Sequence, residues 1–460
     1  MALGVLGKIL AIIICLVLFL LSAIIRKHTK STFHPAFIYT LYSGLLYLLS
    51  MLIIFPAPIN PLGLLYILLC IISFCVPTLL TDYNNVRTVR SLNKLDADIA
   101  LSRFESTFLR KLLSFMAILG VFCSIYIVVI NGASFVSIML DPIGISGAYS
   151  ALRSNAGSGG SPVEYGLYGQ LNILMAYASA SLGGYLFEQQ LRKGSRFYIM
   201  LIALSTGFSS MIIQSSKLTF VISILFFTSS ICIVKIITPK SFNFNFNFKD
   251  LVKTAGIVIL VSVGFLFSFF SRRYAGDLGD NLASLEYLKL DFGSYFLGHI
   301  YAFSDFFAHY VGQKSQIIYP IESLGWGRYT FSSIAEIFGA DTNFPPGLYL
   351  QPVEYSNSFN TVIFTTYRGL VLDFGLFGSF VIMAILGSVS NLSYLAIIKK
   401  PKLWFFYPVY TSIFVFIGMT PFVSVFMARY MYTTAALLML ILASNTLISS
   451  NRIKVKFGPK

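Results

Sequence analysis

The chain has 460 residues, of which 56% are hydrophobic and only 11% are charged, and its formal net charge is +15. A water-soluble protein of this length has more surface than so few charges can cover, and apolar runs as long as a membrane-spanning helix recur along the sequence. The composition therefore predicts a polytopic, all-α membrane protein and excludes a soluble globular enzyme.

Eleven membrane spans are predicted from the apolar runs. In chain order they lie near 3–25, 36–56, 62–81, 112–131, 167–187, 197–213, 218–238, 254–271, 374–398, 403–420 and 429–449. The first run lacks a basic segment ahead of it and a small-residue cleavage site before Arg26, so we interpret it as a retained span. The five cysteines all fall inside apolar runs and are predicted to be small buried hydrophobes.

Positive charge divides unevenly between the two predicted sides of the membrane. When Lys235 and Arg429, which lie near the ends of their spans, are counted with the adjacent loops, the loops after the odd-numbered spans and the C-terminal tail carry 23 lysines and arginines, whereas the loops after the even-numbered spans carry 9. Acidic residues divide the other way, 6 against 12. Because cytoplasmic loops are enriched in lysine and arginine, the sequence predicts an N-out, C-in orientation. The net charge then follows from topology, and nucleic acid is not expected as a partner.

Three regions follow from this topology. Residues 1–271 hold the first eight spans and a short external loop at 132–166, residues 272–358 form a large external loop, and residues 359–460 hold the last three spans and a basic cytoplasmic tail. Within the large loop, the stretch 291–310 places aromatic residues at helical spacing and predicts an amphipathic helix. Its aromatic face either docks on the membrane interface or on other helices, or it lines part of a sugar- or lipid-binding groove.

The outward-facing cations are the candidate binding residues. They are Arg153, Lys217, Arg272, Arg273, Arg328, Arg368 and Arg429. Several lie in or beside apolar segments, where an unpaired charge is costly, so each either pairs with a carboxylate, reaches lipid headgroups or faces an anionic ligand. Arginine also presents a planar fork that binds two phosphate oxygens. An anionic, membrane-borne ligand accounts for the whole set.

Motifs for other chemistries are weak. Asp96 and Asp98 form a D-x-D pattern in a short cytoplasmic loop, which favours a solvated loop over a metal site. The Gly/Ser-rich stretch near Arg153 lacks the strand–helix context of a dinucleotide fingerprint. With no metal-binding cluster or nucleophile motif in the sequence, we expect neither a metal nor another cofactor.

The stretch "SNSFNTVIFTTYRGLVLDFGLFGSFVIMAILG" (356–387) resembles the Wzy-type oligosaccharide repeat-unit polymerases, the O-antigen and capsule polymerases. The resemblance rests on Asn360-Thr361, on Asp373-Phe374-Gly375 with Gly378, and on a span that ends in Arg272-Arg273-Tyr274. The number of spans and the late external loop agree with it. Where many members have an arginine between two middle spans, this sequence has Lys217.

The resemblance implies a GT-C-like fold and a glycosyltransferase of the bacterial inner membrane, with its site facing the periplasm. Such an enzyme moves a glycan from undecaprenyl diphosphate onto a second lipid-linked repeat unit, and a chain-length-regulating co-polymerase of the Wzz type is a possible partner. Arg272 and Arg273 would then stabilise the departing diphosphate, and Asn360 and Asp373 would contact the substrate.

The acceptor hydroxyl needs a general base, and the sequence offers several candidates. They are His299, His309, Asp305, Asp291, Glu286, Glu322 and Glu336, of which we favour His309 and Asp305 because both lie in the aromatic segment. Two alternatives to a polymerase stay open: an O-antigen ligase, which differs in its acceptor, and a flippase or other transporter of lipid-linked oligosaccharide.

Overall fold

The computed structural model describes most of the predicted helices. The described residues are 2–54, 59–84, 107–141, 144–145, 148–149, 166–189, 193–214, 216–238, 293–294, 296–319, 324–339, 353–355, 359–361 and 365–456. The predicted eighth span at 254–271 lies outside them, as do Arg153, Arg272 and Arg273.

Helices dominate the described residues. In chain order they are α1 (Ala2–Thr29), α2 (Pro35–Ile53), α3 (Pro61–Leu79), α4 (Thr107–Ile130), α5 (Phe135–Leu140), α6 (Gly166–Gln189) and α7 (Lys193–Ile213). They continue with α8 (Lys217–Ile237), α9 (His299–Tyr310), α10 (Ser332–Ile337), α11 (Thr366–Lys399), α12 (Phe406–Met419) and α13 (Arg429–Lys456). Two short antiparallel strands, β1 (Val353–Tyr355) and β2 (Phe359–Thr361), form a hairpin.

Ten of the eleven predicted spans coincide with helices, and eight of these helices are long and apolar enough to cross a membrane. These eight are α1, α2, α3, α4, α7, α8, α11 and α13. Two predicted spans differ: α12 has 14 residues, and α6 is rich in small and polar side chains. The protein is thus a helical, polytopic membrane protein. All five cysteines are buried, as predicted.

The described residues fall into two compact units, Met1–Lys94 with Ala283–Tyr432, and Leu95–Leu282 with Thr433–Lys460. In the second unit, α6 packs against α4, α7 and α8. Three of its polar side chains, Asn172, Ser179 and Ser181, are buried and hydrogen-bonded. The Asn172 amide donates to the Gly120 carbonyl at 2.8 Å, and the Ser181 hydroxyl lies 2.7 Å from that of Ser230. The low hydropathy of α6 therefore reflects its central position in this unit, where neighbouring helices satisfy its polar groups.

The first unit is built around α11 and α3, which approach closely. A Cβ atom at Gly387 would lie 2.0 Å from the Phe74 carbonyl oxygen, so only glycine permits this contact. Both α2 and α3 start at a polar cap followed by proline: the side chains of His34 and Asn60 accept hydrogen bonds from backbone N–H groups of the first turn.

A kink at Gly375 divides α11 into two parts. Gly375 has φ 68° and ψ −173°, a conformation open essentially to glycine alone. The eight residues from Thr366 to Asp373 are buried, whereas after the kink one face is exposed and apolar. The predicted span at 374–398 therefore corresponds to the part of α11 beyond the kink.

The predicted aromatic helix is present as α9, but it is buried on all sides through most of its length. It contacts α3 and α11. The Ser304 hydroxyl accepts a hydrogen bond from the Asn60 N–H group and lies 2.8 Å from the Asn60 carbonyl oxygen, and the Tyr301 hydroxyl donates to the Ile54 carbonyl at 2.9 Å. Of the two interpretations of its aromatic residues, docking on other helices is thus the one seen for α9.

Candidate functional site

Arg368 lies in the first turn of α11 and is held between two aromatic rings. Its guanidinium carbon is 4.8 Å from the centre of the Phe306 ring and 5.0 Å from the centre of the Tyr319 ring, and the residue is only 3% exposed. Cation–π contacts of this kind stabilise by about 2 kcal/mol or more when they are desolvated. The protein therefore keeps a positive charge in a poorly hydrated, aromatic environment.

Asp305 joins α9 to the segment that follows it. Its Oδ1 accepts a hydrogen bond from the Gln316 N–H group at 2.8 Å, and its Oδ2 accepts one from the Tyr319 hydroxyl at 2.9 Å. The residue is 8% exposed. Since both carboxylate oxygens already accept a hydrogen bond, the arrangement suits Asp305 to holding this segment in place.

His309 lies one helical turn beyond Asp305 and is partly exposed. Its Nε2 lies 3.1 Å from the Tyr319 carbonyl oxygen, which only accepts, so Nε2 carries a proton and donates. Its Nδ1 lies 3.2 Å from the Ser315 hydroxyl oxygen, and that hydroxyl lies 2.8 Å from the Ile317 carbonyl. Ser315 can donate to a neutral Nδ1, or accept from a protonated one while it donates to Ile317. The imidazole can therefore take up a proton without losing either contact.

Tyr319 is the residue that sequence reasoning missed, and it links the other three. Its ring packs edge-on against Phe306, with ring centres 5.4 Å apart, and lies 5.6 Å from the ring of His309. Its hydroxyl binds Asp305 and its face meets Arg368. No motif or periodicity includes Tyr319, because it follows a loop and its contacts depend on that loop turning back onto α9.

Asp373 serves a different part of the fold. It is fully buried, and its carboxylate accepts hydrogen bonds from the backbone N–H groups of Tyr329, at 3.0 Å, and Thr330, at 2.6 Å. Arg328 is exposed on the same turn. Five residues separate Arg368 from Asp373, a rotation of about 140° on a helix, so the two side chains leave α11 in different directions. The structure shows Asp373 anchoring the turn.

The other predicted site residues lie apart from this cluster. Arg429 pairs with Glu336, its Nε 2.9 Å from Oε2, which is one of the pairings that the sequence left open. Lys217 is buried at the start of α8, in the second unit. The backbone of Asn360 pairs with Glu354 across the β1–β2 hairpin.

Another general-base candidate, His299, lies within the described residues. It is fully buried at the start of α9, 6.2 Å from the ring of Tyr47 and 5.7 Å from that of Phe422. Burial lowers the pKa of His299 to about 3, so its imidazole is neutral. Asp291, Glu286 and Glu322 lie outside the described residues.

A second buried cation, Lys8, lies at the α9 end of the first unit. Its ammonium group donates a hydrogen bond to the Ile54 carbonyl at 3.2 Å, and the same carbonyl accepts from the Tyr301 hydroxyl. Loop-charge counting passes over Lys8 because it lies inside the first apolar run. Its position adds positive charge near α9.

Within the described residues, no group of three or more His, Cys, Asp or Glu side chains is placed to hold a metal ion. No protein-family model matches the chain, and neither a curated protein nor a solved structure does. The geometry of Asp305, His309, Tyr319 and Arg368, which we call the arginine cluster, is therefore the main structural guide to function.

Proposed function

We propose that the chain is a glycosyltransferase that polymerises lipid-diphosphate-linked oligosaccharide repeat units, as its resemblance to the Wzy-type polymerases implies. One observation carries the proposal: a buried arginine, Arg368, lies against the ring of Tyr319, whose hydroxyl binds the Asp305 carboxylate and whose carbonyl oxygen lies 3.1 Å from Nε2 of His309. A fixed cation in a poorly hydrated site stabilises developing negative charge best, and a departing lipid diphosphate develops such charge.

The proposed reaction divides between two side chains. The acceptor hydroxyl oxygen attacks the anomeric carbon of the donor glycan, and its proton passes to Nδ1 of His309. The bond between that carbon and the diphosphate oxygen breaks, and the electron pair leaves with the lipid diphosphate. Arg368 stabilises the anion that forms, with Arg272 and Arg273 as further candidates for the same role. Asp305 positions Tyr319, and hence the ring on which Arg368 rests.

The proposal also includes a route by which the substrate reaches Arg368. The segment 311–318 is largely exposed, and it leads to Tyr319, whose ring covers Arg368. Asp305 and His309 fasten this segment to α9 through hydrogen bonds at 316 and 319. We infer that the segment moves aside to admit the diphosphate and then closes over it, which removes water from the reacting groups.

The proposed orientation rests on the charges at the two ends of α11. Arg368 and α9 lie at the end where α11 begins, whereas Lys399, Lys400 and Lys402 lie at or beyond the end where it stops. Since lysine and arginine concentrate on the cytoplasmic side, we place the lysines in the cytoplasm and the arginine cluster on the periplasmic side of the bacterial inner membrane. Undecaprenyl-diphosphate-linked units are the proposed substrate there.

Reconstitution tests this function. Purified protein in vesicles that contain a lipid-linked repeat unit is expected to lengthen the glycan, while Arg272→Ala and Arg273→Ala are expected to abolish elongation and leave membrane insertion intact. Lys399→Gln, at the opposite end of α11, serves as the control. A folded protein that lengthens no glycan contradicts the proposal. Transfer to lipid A-core alone indicates a ligase, and movement of the lipid across the bilayer without elongation indicates a flippase.

A further inference from the structure

The turn around Trp326 presents a bulky ring in an unfavourable backbone conformation. Trp326 has φ 50°, and Gly327 after it has φ 99°. The left-handed region disfavours a residue with a Cβ atom by about 1–2 kcal/mol, and a large side chain there is rare. Glycine would remove this strain, yet the position holds a tryptophan that is 76% exposed.

Hydrogen bonds to α11 fix the turn in this conformation. The Gly325 and Trp326 N–H groups donate to the carbonyls of Leu372 and Asp373, at 3.0 and 3.1 Å, and the Asp373 carboxylate accepts from the Tyr329 and Thr330 N–H groups. A Cβ atom at Gly325 would lie 2.6 Å from the Asp373 Oδ1 atom, so the close approach requires glycine. These contacts hold the backbone of the turn against α11, and the Trp326 ring projects from it.

The outer face of α11 shows what lies next to this ring. Beyond the kink, Phe377, Val381, Ile385 and Leu392 are exposed apolar residues that run along one span, and Phe377 is 83% exposed. From 377 to 399 the helix rises about 33 Å, close to the ~30 Å thickness of the hydrocarbon core. With Lys399 at one membrane surface, Phe377 reaches the other.

The Trp326 turn therefore lies at the level of a membrane surface. Its backbone binds Asp373, which lies four residues before Phe377 and just before the Gly375 kink. The turn also exposes Leu324 and Arg328. Tryptophan is enriched in the headgroup region of membranes, where its ring is apolar and its indole N–H reaches water, and a cation beside it suits anionic headgroups.

We propose that the turn 324–331 is a membrane-interface anchor, in which Trp326 and Leu324 insert among lipid headgroups beside Phe377 while Arg328 lies at the level of the phosphates. The anchor fixes the beginning of α11 at a set depth. It acts whatever reaction the protein catalyses, because it depends on the turn and the lipid-facing surface of α11.

Fluorescence quenching tests the anchor, because the chain has only two tryptophans, Trp326 and Trp404. In Trp404→Phe protein reconstituted in vesicles, Trp326 is the sole emitter. We expect lipids brominated near the headgroup to quench it more strongly than lipids brominated near the chain end. Phe377→Trp, in protein with both native tryptophans replaced by phenylalanine, sets the depth scale for the same span.

Two results would overturn the anchor. Efficient quenching by acrylamide without quenching by either brominated lipid would show that the ring faces water, where it could serve a soluble partner or a glycan. Stronger quenching by the deeply brominated lipid would place the ring below the interface. Because the measured protein carries only the Trp404→Phe change, the native turn is the object tested.

Discussion

Replacing Arg368 by methionine separates a catalytic cation from a structural one. Methionine is shorter than arginine but similar in volume, and its thioether packs favourably against aromatic rings such as those of Phe306 and Tyr319. Replacing a buried ion pair by hydrophobic residues of similar volume is often neutral for stability, and here one buried cation is exchanged for an apolar side chain. We therefore expect Arg368→Met to fold, although it loses two cation–π contacts.

The two readouts of this variant are expected to diverge. If Arg368 stabilises the departing diphosphate, its removal costs about 2.7–4 kcal/mol of transition-state stabilisation, or roughly 10²–10³-fold in turnover. The free energy of unfolding should fall by only part of the cation–π contribution, since the thioether keeps a favourable contact with the rings. Arg368→Lys keeps the charge but loses the planar stacking, so we expect an intermediate turnover.

The assay measures glycan elongation per folded protein in vesicles, beside thermal unfolding of the same preparations. Lys399→Met, which removes a cation at the far end of α11, is the matched control and should leave elongation unchanged. The reasoning fails if Arg368→Met elongates glycans at the normal rate. It also fails if elongation falls only in proportion to the folded fraction, because Arg368 would then stabilise the fold and take no part in the reaction.

Three further predictions concern the first unit. Gly375→Ala forces a side chain into a backbone conformation that glycine alone adopts readily. We expect a loss of about 1–3 kcal/mol in stability, seen as a lower unfolding temperature. An unchanged unfolding temperature would argue against the kink. Gly387→Ala should destabilise the protein by about 1–3 kcal/mol, because the new Cβ atom meets the backbone of α3. In the control Gly44→Ala, the Cβ atom meets only side chains at 3.3 Å or more, so the change should be close to neutral. Equal effects of the two substitutions would contradict the close packing of α11 on α3. His299 has a lower pKa in the folded than in the unfolded chain, so the unfolded state binds more protons between pH 6.5 and about 3. The free energy of unfolding should therefore fall as the pH drops through that range, by up to about 1.4 kcal/mol per pH unit. His299→Gln should reduce this slope in a pH series of thermal unfolding, and an identical slope would refute the assignment.

Much of the fold could be predicted because membrane helices depend on local composition. Ten predicted spans match helices, and the start predicted at 374 falls beside the Gly375 kink, since the apolar pattern begins where the helix leaves the buried part of the unit. Hydropathy is less informative for α6, because its buried polar side chains hydrogen-bond to neighbouring helices. Hydropathy cannot distinguish such a central helix from one outside the membrane.

The candidate site could be predicted only in part. The sequence proposed Asp305, His309 and Arg368 separately, from residue type and from position near aromatic residues. Their proximity depends on the docking of α9 beside α11. These two helices are 56 residues apart in sequence, counted from Tyr310 to Thr366. The role of Tyr319 could not be anticipated, because its contacts come from a loop that reverses direction. Asp373 was predicted to contact substrate, and only its two backbone contacts reveal its part in holding the 324–331 turn.

The kink explains how one helix serves both a lipid-facing span and a buried cation. A straight helix would carry Arg368 about 14 Å beyond Phe377, past the membrane surface and toward water. At Gly375 the backbone breaks the helix, and the residues before it enter the protein interior. There, aromatic rings replace water around the guanidinium, and Asp373 hydrogen-bonds the turn that carries Trp326. The Asp-Phe-Gly sequence thus combines a carboxylate that anchors a turn with the glycine that permits the break, which gives the motif a structural basis that does not depend on a substrate.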